Sequence, residues 1–178
     1  MSAAGTMVAN LKELAPIALE LVNVGASLAG LILVVGGLMK FVTHAKYGDQ
    51  QVRIATPVMW LLSGIMLWNL GAAATTALQT VFGDATTTQN LLGYTPSASM
   101  TQEGAEMLDA LVMVVRLVGY FFFVSGWFSM RNVGAVGQGG GNDAFRSGIY
   151  KIGAGACAIN IVETVNLVSS FIGFGNVL

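Results

Sequence analysis

Four stretches of this chain are apolar for about the length that crosses a lipid bilayer, and more polar segments separate them. They are residues 17–39, 57–81, 110–130 and 149–171. About 20 residues at 1.5 Å rise span a hydrocarbon core of ~30 Å, so each predicts a transmembrane helix. Backbone in lipid must bond to itself, which favours helices here, and the runs are too continuous for barrel strands. Pro57 opens the second stretch, where a missing N–H costs little. Asp109 stands before the third as an expected N-cap.

Composition supports the same picture. Hydrophobic residues make up 54%, charged residues 10%, and the mean hydropathy is +0.71. Soluble domains carry about 25% charged residues. Seventeen charged side chains in 178 residues would hardly coat a soluble fold. The expected class is all-α: one integral membrane domain over residues 1–178, its four helices forming two helical hairpins.

Charge placement gives a direction. Residues 40–56 hold Lys40, Lys46 and Arg53, and residues 131–148 hold Arg131 and Arg146, with Lys151 following. Residues 82–109 hold Asp84, Glu103, Glu106 and Asp109 and no basic residue. The bias of Lys and Arg toward the cytoplasm places the two basic loops inside. The acidic loop and both termini are then outside. Residues 1–16 lack a basic leader region, and the first apolar run has full spanning length, so no cleaved signal is expected.

An offset of 91 residues aligns Lys40 with Arg131, Gly64 with Gly155 and Asn69 with Asn160. A parallel duplication accounts for this, and so does the alternation of four spans alone.

Three ionisable residues fall at membrane depth: Glu20, Arg116 and Glu163. By helical rise they lie about 5, 9 and 12 Å inside the outer boundary. Intramembrane charges usually pair or face water, so an Arg116–Glu163 pair is expected, within one chain or between neighbours. Snorkelling to the interface is the alternative, chiefly for Glu20. A proton or ion path is a third.

Small and polar residues also form stripes at spacings of three and four. The first helix has Glu20, Asn23, Ser27, Gly30, Val34 and Gly37. The third has Arg116, Gly119, Phe123 and Gly126. The fourth has Gly153, Ala156, Asn160, Glu163 and Leu167. Such stripes let helix backbones approach and hydrogen-bond, so these are the candidate packing and assembly residues. Trp60 and Trp127 lie toward the expected inner ends, where belt aromatics gather.

Catalytic signals are missing. The sequence has one His, His44, and one Cys, Cys157, and no HExxH or CxxC motif. Residues 134–141 (GAVGQGGG) lack the Gly-Lys-Ser/Thr ending of a phosphate loop and read as a linker. No catalytic site, metal or cofactor is expected; phospholipid is the one bound molecule allowed for. No basic stripe suggests direct nucleic-acid binding.

Several segments carry a family likeness: KFVTHAKYG after the first span, VFGDATTTQNLLGYTP after the second, VGYFFFVSGWFSMRNVGAVGQGGG over the third, and GAGACAINIVETVNLVSS in the fourth. Over about residues 20–172 the chain resembles the DotE/IcmC and TraQ family of type IVB secretion and IncI-type conjugation systems. The resemblance implies a non-enzymatic, multi-span inner-membrane component of a transfer apparatus, with other secretion or conjugation subunits and membrane lipid as partners. It supplies no agreed functional residues. Related proteins resemble pilins, so a subunit of the extracellular conjugative pilus is the alternative, as a polymer with lipid bound. A small channel or transporter is the third reading.

Overall fold

The computed structural model describes residues 3–83, 102–133 and 141–173. They form six α-helices: α1 (Ala3–Tyr47), α2 (Ala55–Trp68), α3 (Leu70–Phe82), α4 (Gln102–Met130), α5 (Gly141–Ile159) and α6 (Ile161–Ile172). No strand occurs among the described residues. The Thr- and Ser-rich part of the expected outer loop and most of the Gly-rich linker lie outside them.

Among the described residues two single helices are long and apolar enough to cross a membrane: Glu13–Tyr47 within α1 and Gly104–Met130 within α4. At 1.5 Å per residue they reach about 52 and 40 Å. Both start earlier than the hydropathy pattern implied. The α1 helix runs through Pro16, and α4 begins at Gln102, so Asp109 lies inside the helix and is no N-cap. Residues 141–148, expected as loop, are already the first turns of α5.

The expected second and fourth spans are each broken in two. The α2 and α3 axes differ by 98°, and the α5 and α6 axes by 94°. Each break falls on one asparagine. Asn69 has φ −113° and ψ 62°, and Asn160 has φ −108° and ψ 56°. Apolarity alone does not reveal a break, because both arms of each bend are apolar enough to count as one span. Asparagine permits it because its short amide competes locally for backbone partners.

The two hairpins, α1–α2 and α4–α5, are built to one plan. Each first arm packs along its second, and each second arm bends at its asparagine. The bent-off segments, α3 and α6, both close on a left-handed glycine, Gly83 at φ 79° and Gly173 at φ 88°. The Lys40 ammonium and the Arg131 guanidinium both lie over the Trp60 ring, so the C-terminal ends of α1 and α4 meet. An apolar groove joins Leu11–Ala18 of α1 to Met113–Val118 of α4 near their other ends. The two first arms therefore run parallel.

The buried core lies where the hairpins meet. Leu67, Leu70, Leu78, Phe123 and Ile159 are each at most 2% exposed. Outward, α1 is apolar on nearly every side, with Leu21 73% and Ile32 69% exposed. A helix apolar all round belongs in lipid or inside a larger assembly.

Candidate functional site

The stripe residues divide into two groups. Gly30, Gly37, Gly119 and Gly126 sit at the closest crossings of the hairpins. A β-carbon on Gly30 would collide with the Trp68 amide nitrogen and come within 2.6 Å of the Gly64 carbonyl oxygen. One on Gly119 would lie 2.7 Å from the Ile159 nitrogen. One on Gly37 would press on Leu61, and one on Gly126 on Ile152 and the Gly148 carbonyl. Gly64 and Gly155 answer from the second arms, each 2.8 Å from the facing carbonyl of Gly30 or Gly119 by the same measure. Only hydrogen at these positions allows main chains so near each other.

These contacts correspond between hairpins. Gly30 matches Gly119, Gly37 matches Gly126, Gly64 matches Gly155, Trp68 matches Ile159 and Asn69 matches Asn160. Along the second arms the offset is 91 residues, and along the first arms it is 89. Lys40 therefore corresponds to Ser129, not to Arg131 as the single offset implied.

The remaining stripe residues lie elsewhere. Glu20, Asn23 and Glu163 are exposed. Gly153 is exposed and a β-carbon there meets nothing within 4 Å. The second arms turn away at the asparagine breaks, so they leave the outer end of the α1 stripe uncovered. That turn is the reason sequence spacing alone overextended the packing face.

Arg116 is 5% exposed and Asn160 2% exposed. No ion pair joins Arg116 to Glu163 within the chain; the carboxylate whose field acts on Arg116 is Asp109, two turns earlier on α4. Arg116 faces inward on the Gly119 stripe, whereas Glu163 points out. The Arg116 Nε and the Asn160 Nδ2 have no hydrogen-bond partner. Arg116 occupies the place that Ser27 fills in the first hairpin. Replacing a buried ionic side chain by an apolar one of similar volume is often close to neutral for stability. Arg116→Met is therefore expected to change the unfolding free energy of the purified protein by less than about 1 kcal/mol. A collapse of folding in that variant would contradict this reading.

Both breaks need partners for backbone groups that the helix no longer supplies. At the first, Ser27 Oγ donates to the Trp68 carbonyl at 3.0 Å, and the Asn69 side chain accepts from the Ala72 amide at 3.3 Å. At the second, Thr164 Oγ1 lies 2.9 Å from the Cys157 carbonyl and 2.8 Å from that of Asn160. Ser27→Ala is expected to cost about 1 kcal/mol, the net worth of one hydrogen bond. Denaturation in detergent micelles measures it, and a loss near zero would mean that the carbonyl finds another donor.

In α3, Thr75, Thr76 and Thr80 each bond back to the carbonyl four residues earlier, at 2.8–2.9 Å. This bonding satisfies the threonine hydroxyls within the helix itself.

At the opposite, basic end, His44 Nδ1 is 2.7 Å from the Val52 carbonyl and 3.6 Å from Asp49, and so belongs to the α1–α2 turn. Among the described residues no group of three His, Cys, Asp or Glu side chains is placed to hold a metal. The cluster around Trp60 forms only in the folded chain. Its signal was present only as separate Lys, Arg and Trp residues near three span ends.

The chain matches no family model, no curated protein and no solved structure.

Proposed function

We propose that this chain is a non-enzymatic structural component of a type IVB secretion or conjugative DNA-transfer apparatus, embedded in the bacterial inner membrane. The residue resemblance suggests the system. One observation carries the structural role: two hairpins, locked by glycine crossings, expose many large apolar side chains, chiefly along α1 and α4. Such an exterior suits lipid and neighbouring subunits, including further copies of the chain.

In this reading four segments enter the membrane, α1 and α4 straight, the other two bent at Asn69 and Asn160. The short α2 rises about 21 Å from the cytoplasmic side. The α3 and α6 helices then run along the outer leaflet. Both termini face outward and the basic ends face the cytoplasm, following the charge bias.

Cysteine accessibility tests the topology in a Cys157→Ser background. A membrane-impermeant thiol reagent should label Thr6→Cys in intact spheroplasts, and Asp143→Cys only after permeabilisation. The reverse pattern would invert the topology.

The role is tested by location and by transfer. The protein should sediment with inner membranes, and its deletion should abolish transfer without loss of cell viability. The competing assignment, a subunit of the conjugative pilus, predicts abundant protein in the sheared extracellular fraction. Finding it there would replace the inner-membrane role.

A further inference from the structure

The basic end of the bundle gathers cations that no carboxylate among the described residues neutralises. Lys40 of α1 places its Nζ 4.7 Å from the centre of the Trp60 ring of α2. Arg131, just past α4, lies 5.8 Å from the same ring and 5.4 Å from that of Phe128. Lys151 of α5 reaches Ser129 Oγ at 3.2 Å. Among the described residues none of the three cations is paired with an acidic side chain.

Two further donors nearby are unused: the Arg131 Nε and the Trp127 Nε1 are enclosed without an acceptor. The ring contacts orient the cations but leave their charge in place. The Trp60 ring itself lies over Gly36, where a β-carbon would come within 2.8 Å of it. Residues far apart in sequence are thus collected around one aromatic plate, at the level where the apolar part of both long helices ends.

We propose that this end binds the phosphate headgroup of an anionic phospholipid, through Lys40 and Arg131 beside Trp60 and through Lys151 at Ser129. The inference rests on the membrane reading above. Lys40 and Arg131 place two positive charges beside one ring, Lys151 adds a third at Ser129, and among the described residues no ion pair with a carboxylate balances them. An anionic headgroup at the interface meets that need, while its acyl chains lie along the apolar flanks. Basic positions between helix ends at the cytoplasmic face attract such lipids. A generic scatter of surface charge would not require two cations on a shared ring.

The full-length protein in a non-ionic detergent, titrated with phosphatidylglycerol, tests this. Native mass spectrometry counts the lipid retained, and tryptophan fluorescence follows occupancy at Trp60 and Trp127. Saturable binding is expected, with phosphatidylcholine at least tenfold weaker. The pair Lys40→Gln with Arg131→Gln should weaken phosphatidylglycerol binding about 25-fold, from about fivefold per charge removed.

Lys151→Gln, which loses a single hydrogen bond, should cost about fivefold and keeps the test open if the double variant fails to fold. Lys46→Gln with Arg53→Gln removes two exposed charges away from the ring and should change nothing. Equal loss in that pair would mean diffuse attraction and overturn the site. So would equal binding of phosphatidylcholine, or a fluorescence change matched by inorganic phosphate alone. Saturable binding of an acidic peptide with no lipid preference would also overturn it, in favour of a protein partner. A protein that does not float with membranes would instead overturn the membrane reading itself.

Discussion

Alanine in place of Gly30 or Gly119 is expected to destabilise the protein by about 2–3 kcal/mol, the upper range for overpacked sites. At both positions the new methyl meets main-chain atoms of the facing helix, within 3 Å. A flexible side chain could swing aside, but a helical amide cannot. The hairpin must open along its length, which loosens the neighbouring contacts of Gly64 or Gly155 as well. Gly25 and Gly153 are the matched controls, since a β-carbon at either meets nothing within 4 Å. There alanine should be neutral or stabilising by up to about 1 kcal/mol, the difference in helix propensity. Unfolding in mixed micelles, followed by circular dichroism, separates the two classes. If Gly119→Ala proved as stable as Gly153→Ala, the interlocked hairpin would not exist as described. The correspondence between hairpins adds a sharper expectation: Gly30→Ala and Gly119→Ala should cost similar amounts.

The second large effect concerns the breaks. Replacing Asn69 by leucine is expected to join α2 and α3 into one continuous helix. Leucine favours helix and offers no side-chain acceptor to cap the Ala72 amide. Spin labels at the exposed positions Val58 and Val81 report the change. In the bent form the labelled backbones stand about 22 Å apart, and in a straight helix about 34 Å, from 1.5 Å per residue. Electron–electron distance measurements resolve that gap. An unchanged distance would mean that packing of Ala73, Ala74 and Leu78 into the core, and not the asparagine, holds the bend. The same substitution at Asn160 should straighten α5 and α6. It also removes a buried amide nitrogen without a partner, so its stability cost should be smaller than at Asn69.

Much of this architecture was legible in the residue pattern. Two of the four apolar runs are the cores of α1 and α4, and the stripe of Gly30 and Gly37, like that of Gly119 and Gly126, does mark helix crossings. The reason is local: spacing of three or four puts small residues on one helical face whatever else the chain does. Glu20, Asn23, Gly153 and Glu163 share that spacing and are exposed. Whether a face is covered depends on where the partner helix ends, and no periodicity carries that information. The Arg116–Glu163 pair failed within the chain for the same reason. Equal depth along two helices does not place two side chains on facing sides once α6 has turned by 94°.

Sequence alone thus determined the all-α class of the protein and its long apolar helices. Apolar runs of spanning length, so few charges and small-residue stripes demand helices that bury their backbone in lipid or protein. Tertiary structure alone decided three things: that the second and fourth segments bend at Asn69 and Asn160, that the two hairpins share one set of contacts, and that Lys40, Arg131 and Trp60 meet. Each depends on atoms brought together from distant parts of the chain. Hydropathy sums the apolarity of neighbours along the sequence and is blind to such meetings.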